Sequence, residues 1–494
     1  MKGRRLHMAK FSFQNMPKLQ VLKEDEILNI HEKALTYLEE TGVKFEHPEI
    51  LAKLKEKGCL TDEKEMILRI PRKLTEQAIL NAPEQFLMYG HSKREALRLG
   101  ENHTYYAPGA ASVNFWDGSR RRPGTIADLE EGIRIAESMN GYGINSGSVI
   151  PGEIPGNVVD IYIMYKLLCQ SDKPFLGLDW EPGTTKRIGK LLEAVFGSRE
   201  EARKTPVVMM GICPTPPMRW EKSAIDCALS CFEYKIPVFI SSSPVMGISC
   251  PITIAGSILT HTIETLSFLS FIQLMQPGYP TIYGGIASAM DMRTTNCTSS
   301  CVEACLSTAG YSCMAHYYGL PSLAFLAQTD SKKPDYQAGF ETAMDAIVSA
   351  LAGIDVVYGG GTLESYLTVN SEKIAMDGQL FTTCLRLARG IQVDEETLAY
   401  SEIEQVQWGA DESFLEQEHT AEWYRDEHCL MNDIVDRTTY TPQNENQKDI
   451  LERARESIQT CKSSELEGEA RTRLDAAFQE ILSSFGLTET FAAI

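Results

Sequence analysis

From residue 104 onward, short apolar runs ending in Gly, Ser or Pro alternate with long amphipathic stretches, and this alternation constrains the fold more than any other feature of the chain. Strand candidates begin near Thr104, Tyr142, Pro174, Pro206, Pro237, Pro280, Pro321 and Asp355, at intervals of 38, 32, 32, 31, 43, 41 and 34 residues. Each interval has room for a strand, a loop, a helix and a return. Helical periods fill the gaps at 125–139, 158–169, 184–196, 221–234, 252–275, 301–318, 336–351 and 371–389, the first opening with Thr125 and Asp128 spaced as a capping box. Eight strands with eight outer helices predict an α/β fold, the TIM (β/α)8 barrel, whose chemistry sits at the C-terminal ends of the strands. An open doubly wound sheet shares the alternation but usually has fewer units, and no GxGxxG follows the first strand.

Three regions are predicted: an N-terminal helical cap with short strands (1–100), the catalytic barrel (101–395) and a C-terminal helical appendage (396–494). In the cap, Ile27, Ile30, Ala34, Leu35 and Leu38 recur at a helical period, a second helix spans 47–57, and a third spans 72–82 after Pro71. Strand-like runs lie at 66–70 and 85–89. Helical periods reappear in the appendage at 421–435, 449–460 and 471–485.

A formal charge of −20 opposes binding to nucleic acid or an anionic membrane. The apolar stretch 252–275 contains His261, Glu264 and several hydroxyl residues, which predicts a buried helix and not a membrane span. Thirteen scattered cysteines and a basic N-terminus with no apolar signal core predict free thiols and a cytoplasmic location. Cys297, Cys301 and Cys305 are spaced for one helix face, but no CxxC, HExxH or similar metal pattern accompanies them, so no metal site is predicted. No GxSxG marks a nucleophilic serine, and His261 reads as a core histidine.

The strand ends carry the candidate chemistry. The first presents Tyr105, Tyr106 and, after a turn, Trp116; the third presents Asp179 and Trp180; the sixth presents Tyr283, Asp291 and Arg293. The seventh, in PSLAFLAQTDSKKPD (321–335), presents Phe325, Gln328, Asp330 and Lys332, and the eighth presents Tyr358, Glu364 and Tyr366. Aromatic faces beside carboxylates suit a quaternary ammonium, which has no N–H to donate and is held against ring faces. The same aromatics also suit simple packing of a barrel mouth, and the acids suit loop caps or ion pairs with Arg293 and Lys332. Gly359, Gly360 and Gly361 suit either a phosphate cradle or a close backbone approach, and the adjacent Glu364 argues against an anion.

The segments IYGGIASAMDMR (282–293), TDSKKPDYQAGFE (329–341) and GGGTLESYLTVNSEKIAMD (359–377), with KALTYLEETGVKFEHPE (33–49), resemble those of the trimethylamine methyltransferase family, the MttB type. The resemblance covers most of the chain. It implies a TIM barrel that moves a methyl group from an amine to the cob(I)alamin of a cognate corrinoid protein, with no cofactor tightly bound to this chain. Trimethylamine-specific members carry pyrrolysine, whereas this sequence uses only the standard twenty residues. It therefore resembles the members that demethylate quaternary amines such as glycine betaine, proline betaine, carnitine or γ-butyrobetaine.

On that reading Tyr105, Tyr106, Trp116, Trp180, Tyr283, Phe325, Tyr358 and Tyr366 are candidates for a cation cage. Asp330, Glu364 and Gln328 are the catalytic candidates, Asp291, Asp330 and Glu364 add counter-charge, and Arg293 or Lys332 holds a substrate carboxylate. A homo-oligomer is expected. Two other readings stay open: a betaine-binding protein without catalysis, and a barrel enzyme for a carbonyl or phosphorylated substrate with Asp330 and Lys332 as acid and base.

Overall fold

The computed structural model describes residues 18–487 except 95, 101–102, 178, 180–181, 407–412, 430–433 and 443–447. The predicted alternation is realised as β1 (Tyr105–Pro108), α1 (Ile126–Ser138), α2 (Val159–Gln170), β2 (Phe175–Gly177), α3 (Thr184–Phe196), β3 (Val208–Ile212) and α4 (Lys222–Tyr234). It continues through β4 (Val238–Ser242), α5 (Ile254–Met275), β5 (Thr281–Gly285), α6 (Val302–Tyr317), β6 (Ser322–Phe325), α7 (Tyr336–Leu351), β7 (Val356–Gly360) and α8 (Ser371–Ala388). Thr125 closes the predicted capping box with Asp128 at the start of α1.

The seven strands form one parallel sheet in the order β1-β7-β6-β5-β4-β3-β2. The eighth strand expected near Tyr142 does not form a ladder. Residues 142–145 instead meet β1 through one parallel bridge, Tyr106 to Tyr142, and β2 through another, Asn145 to Phe175. Glycine explains the weakness, because it brings backbone entropy and no packing side chain to a strand. Gly143 is required there, since a Cβ would lie 2.8 Å from the Tyr105 ring.

Two apolar cores flank the sheet. The inner face carries a small core built from Tyr105, Ile144, Leu176, Met209, Phe239, Ile282, Leu323 and Val356. Met88, Leu97 and Leu99, from the hairpin Phe86–Tyr89 with Ala96–Leu99, join it from the N-terminal side. The outer face packs on the helices in a larger core that runs from Ile27 and Leu38 of the N-terminal helix Glu24–Glu40 to Leu474 and Phe478 of the last helix, Gly468–Ser484.

The other predicted elements shift by a few residues, to helices Pro48–Glu56, Arg72–Asn81, Glu418–Glu427 and Ile450–Thr460 and strands Ile67–Arg69 and Phe86–Tyr89. The sequence-predicted helix 421–435 falls partly outside the described residues. Helix α5 is the one described helix long and apolar enough to cross a membrane, and 83% of its apolar window is buried inside the fold. His261 on it lies between the Gly284 carbonyl (3.0 Å) and the Tyr283 hydroxyl (3.3 Å), with burial lowering its pKa to about 3. It is a core histidine, as its surroundings in the sequence predicted.

Candidate active site

A cavity of about 1010 Å³ opens at the C-terminal ends of β2, β3 and β4 and extends outward between α3 and α4. Phe239 and Ser241 lie two apart on β4, so the pleat turns both to the same face, and both line the cavity. Gly211 on the neighbouring strand is needed for this ring: a Cβ there would sit 2.4 Å from Phe239. Phe325, at the end of β6, lines the cavity too, 6.2 Å from Phe239. It stands edge-on to Tyr358 at 5.0 Å and to Tyr366 at 6.0 Å. Four aromatic rings from β4, β6, β7 and the loop after β7 therefore converge. Asp179 and Cys213, just past β2 and β3, contribute polar lining.

The loops after β6 and β7 are held together by carboxylates. Asp330 accepts from the hydroxyls of Thr298 and Ser365, binding three loops at one point. Glu341 accepts from Thr329 and from the Asp330 amide at 2.9 Å. Glu364 receives Arg121 on both oxygens at 3.1 and 2.9 Å, and Thr368 at 2.6 Å. Next to it the backbone is unusual: Glu364, Ser365 and Tyr366 have φ of 51°, 51° and 71°, three consecutive left-handed residues with none a glycine. Such residues concentrate at functional loops, where the surroundings fix them.

Gln328 and Asp345 are fully buried, and their side chains have no hydrogen-bond partner of ordinary geometry among the described residues. Burial pushes Asp345 well above the usual carboxylate range, although the nearby Cys305 thiol and Gln328 backbone N–H oppose the shift. The glycine run is a close-approach turn. A Cβ on Gly359 would sit 2.1 Å from the Leu326 carbonyl, and the Gly361 amide already donates to Asp377 at 2.7 Å.

Several predicted cage residues lie elsewhere. Tyr106 and Tyr283 face outward into the helix layer: Tyr106 stacks on Phe381 at 4.2 Å and donates to the Ala346 carbonyl at 2.7 Å, while Tyr283 donates to Thr262 at 3.0 Å. The reason is the strand period of two, which sends Tyr105 and Tyr106 to opposite faces. Tyr105 does face inward, but at the N-terminal end of β1, where its hydroxyl accepts from the Arg98 amide at 3.3 Å; burial raises it to about 12. Trp116 lies half-buried on the short strand Asn114–Trp116, in a separate four-stranded sheet with Thr362–Leu363, Thr368–Val369 and Arg121–Pro123. Trp180 lies outside the described residues.

Arg293 is exposed and pairs with Asp291 two residues away at 2.8 Å, an interaction that lowers Asp291 to about 2. Lys332 is exposed and its ammonium donates to the Asp330 backbone carbonyl at 2.7 Å. With Asp330 occupied by two hydroxyls, this pair is not arranged as an acid and a base. All thirteen cysteines are free thiols; of the three spaced for one helix face, Cys297 is exposed, Cys301 sits at the N-cap position of α6 without a capping hydrogen bond, and Cys305 is buried within that helix. Among the described residues no group of three or more His, Cys, Asp or Glu side chains is placed to hold a metal.

Phe239 and Cys213 were missed at the sequence level. The signal was present in VFISSS (238–243), where the alternation that makes Phe239 and Ser241 partners on one face is readable. A family profile described as Trimethylamine methyltransferase (MTTB) matches residues 2–489. The trimethylamine methyltransferase MttB of Methanosarcina barkeri (strain Fusaro / DSM 804) is 30% identical over 418 residues, 83% of each chain. The glycine betaine methyltransferase of Desulfitobacterium hafniense (strain Y51) is 26% identical over 477 residues, covering 96% of this chain and 98% of that one. Among solved structures, the Methanosarcina barkeri monomethylamine methyltransferase (MtmB) matches with a TM-score of 0.47 and 11% identity, covering 94% of this chain and 93% of that one. The chain belongs to the trimethylamine methyltransferase (MTTB) family and is a methyltransferase.

Proposed function

We propose that this enzyme takes a methyl group from a quaternary amine, with a betaine as substrate, and passes it to the corrinoid of a partner protein. The observation that carries this reading is the cavity lined by Phe239 and Phe325 at the C-terminal ends of the strands. We read the seven-stranded sheet, with residues 142–145 bridged to both its edges, as a (β/α)8 barrel closed by a short eighth strand. The rings of Phe325, Tyr358 and Tyr366, with Phe239, form the cation face on this reading, and Asp330 and Glu364 fix the loops that carry it.

The residues fit such a reaction. When bound, the partner's corrinoid supplies the nucleophile. A quaternary nitrogen leaves as a neutral tertiary amine, so this chain need deliver no proton to it. What remains for the protein is to orient one N–CH3 bond towards the open mouth and to keep water from it. Aromatic walls do both, and each good ring contact with the cation contributes roughly 0.5 to 2 kcal/mol. The relative named for glycine betaine, which the chain matches almost end to end, supports this substrate class.

The test is to mix the protein with a reduced corrinoid carrier and glycine betaine, proline betaine, carnitine or γ-butyrobetaine, and to follow the methylated-corrinoid absorbance. Methylation with at least one of them is expected. Failure with every quaternary amine, while the carrier stays reduced, would falsify the reading.

A further inference from the structure

We infer that Asp179 is the counter-ion that makes this cavity prefer a quaternary ammonium over its neutral carbon isostere; the inference rests on the quaternary-amine reading above. Asp179 lies two residues past the end of β2 and lines the same cavity as Phe239 and Phe325. One of its oxygens accepts from the Thr185 hydroxyl in the first turn of α3, and the Cys227 thiol of α4 lies beside it. Among the described residues no Lys, Arg or His pairs with it, and the main influences on its carboxyl are burial, hydrogen bonds from Thr185 and Cys227, and the charge of Asp160.

The other charges around the cavity are engaged. Lys186 pairs with Glu233 at 3.5 Å, Lys222 pairs with Asp226 at 2.5 Å, and Asp160 accepts from the Thr184 hydroxyl at 2.7 Å. Burial pushes the Asp179 carboxyl upward, and the negative charge of Asp160 adds to the push. A desolvated carboxylate with no cation, sharing a cavity with two ring faces, is the complement of a cation that cannot hydrogen bond. Ring faces contact its methyl groups, and the carboxylate neutralises a charge that would otherwise be costly to desolvate. Rings alone also accept a tert-butyl group; the carboxylate is what discriminates between the two.

Asp179 also helps to fasten the start of α3 through Thr185, so a test must separate charge from fastening. Asp179→Asn and Asp179→Ser each keep an acceptor for Thr185 while removing the charge. The probes are choline and 3,3-dimethylbutan-1-ol, which differ by nitrogen against carbon, titrated calorimetrically into the full-length protein. The wild type is expected to bind choline at least about tenfold more tightly. In both variants the ratio is expected to fall close to one, through weaker choline binding and unchanged binding of the isostere. A ratio kept at its wild-type value in the variants overturns the role of Asp179 and leaves the quaternary-amine reading standing. A wild type with no preference for choline overturns both.

Discussion

The Tyr366 hydroxyl donates to the Tyr358 backbone carbonyl at 2.7 Å, tying the loop after β7 back onto the strand it has just left. This bond fixes the Tyr366 ring beside Phe325. Tyr366→Phe keeps the ring and loses the tie, so it is expected to cost about 1 kcal/mol of stability in urea denaturation. It should also weaken quaternary-ammonium binding less than removal of the Phe325 ring does.

Phe325 contacts three of the converging rings and the cavity itself. Phe325→Ala is expected to weaken glycine betaine binding by about 2- to 30-fold, while Phe325→Tyr retains it. Calorimetric titration of both variants checks this; equal affinity in Phe325→Ala and wild type would remove Phe325 from the cation face.

Tyr106 and Tyr283 offer the contrasting case. Their hydroxyls serve the helix layer, so Tyr106→Phe and Tyr283→Phe should each cost about 1 kcal/mol of stability and leave ligand affinity unchanged. A loss of affinity in either variant, at unchanged fold by circular dichroism, would return that residue to the site.

Asp355 joins β7 to β6 and to the hairpin beneath: it accepts from the Gly100 amide at 2.6 Å and the Ser322 amide at 2.8 Å. Burial nevertheless raises it to about 7 from an ordinary 3.8. Between those values the folded protein holds a proton that the unfolded chain has released. The contribution of Asp355 to stability is therefore full below about pH 4 and lost as pH rises towards 7, with a slope of at most about 1.4 kcal/mol per pH unit. Denaturation of wild type and Asp355→Asn at several pH values should show the difference between them changing across that window and flat above it.

Lys373 and Asp377 form a buried ion pair at 2.5 Å, one turn apart on α8, and Asp377 also accepts from the Gly361 amide. Lys373→Met strands a carboxylate in the interior and is expected to cost about 3 to 5 kcal/mol. The double variant Lys373→Met/Asp377→Leu should recover part of that loss. A single variant as stable as wild type in guanidinium titration would show that Asp377 is neutral without its partner.

The alternation of strand and helix was legible because each apolar run had one clear period and a Gly, Ser or Pro stop. The run near Tyr142 also read as a strand, but in the fold residues 142–145 make only single bridges to Tyr106 and Phe175, because register and glycine content, which local propensity does not reveal, decide whether a ladder forms. At the site the segments were legible and the side-chain directions were not. Tyr105 and Tyr106 are equal as residue types, but register alone sends one to the inner core and the other to Phe381. Asp330 and Glu364 likewise stood out as charges, while the partners of Asp330, Thr298 and Ser365, and of Glu364, Arg121, come from other loops that the sequence does not align with them.

Glu364, Ser365 and Tyr366 each occupy a backbone region that costs on the order of 1 to 2 kcal/mol for a residue with a side chain. Each is pinned by a different part of the chain: Arg121 from its short strand, Asp330 from the loop after β6, and the carbonyl of Tyr358 in β7. The shape of this loop is thus a property of four segments and not of its own sequence. Transplanting residues 359–370 alone between relatives of different substrate range would keep the carbonyl of residue 358 but leave the turn without its two side-chain pins, free to relax to ordinary backbone. The unit that can be exchanged is the loop together with Arg121 and Asp330.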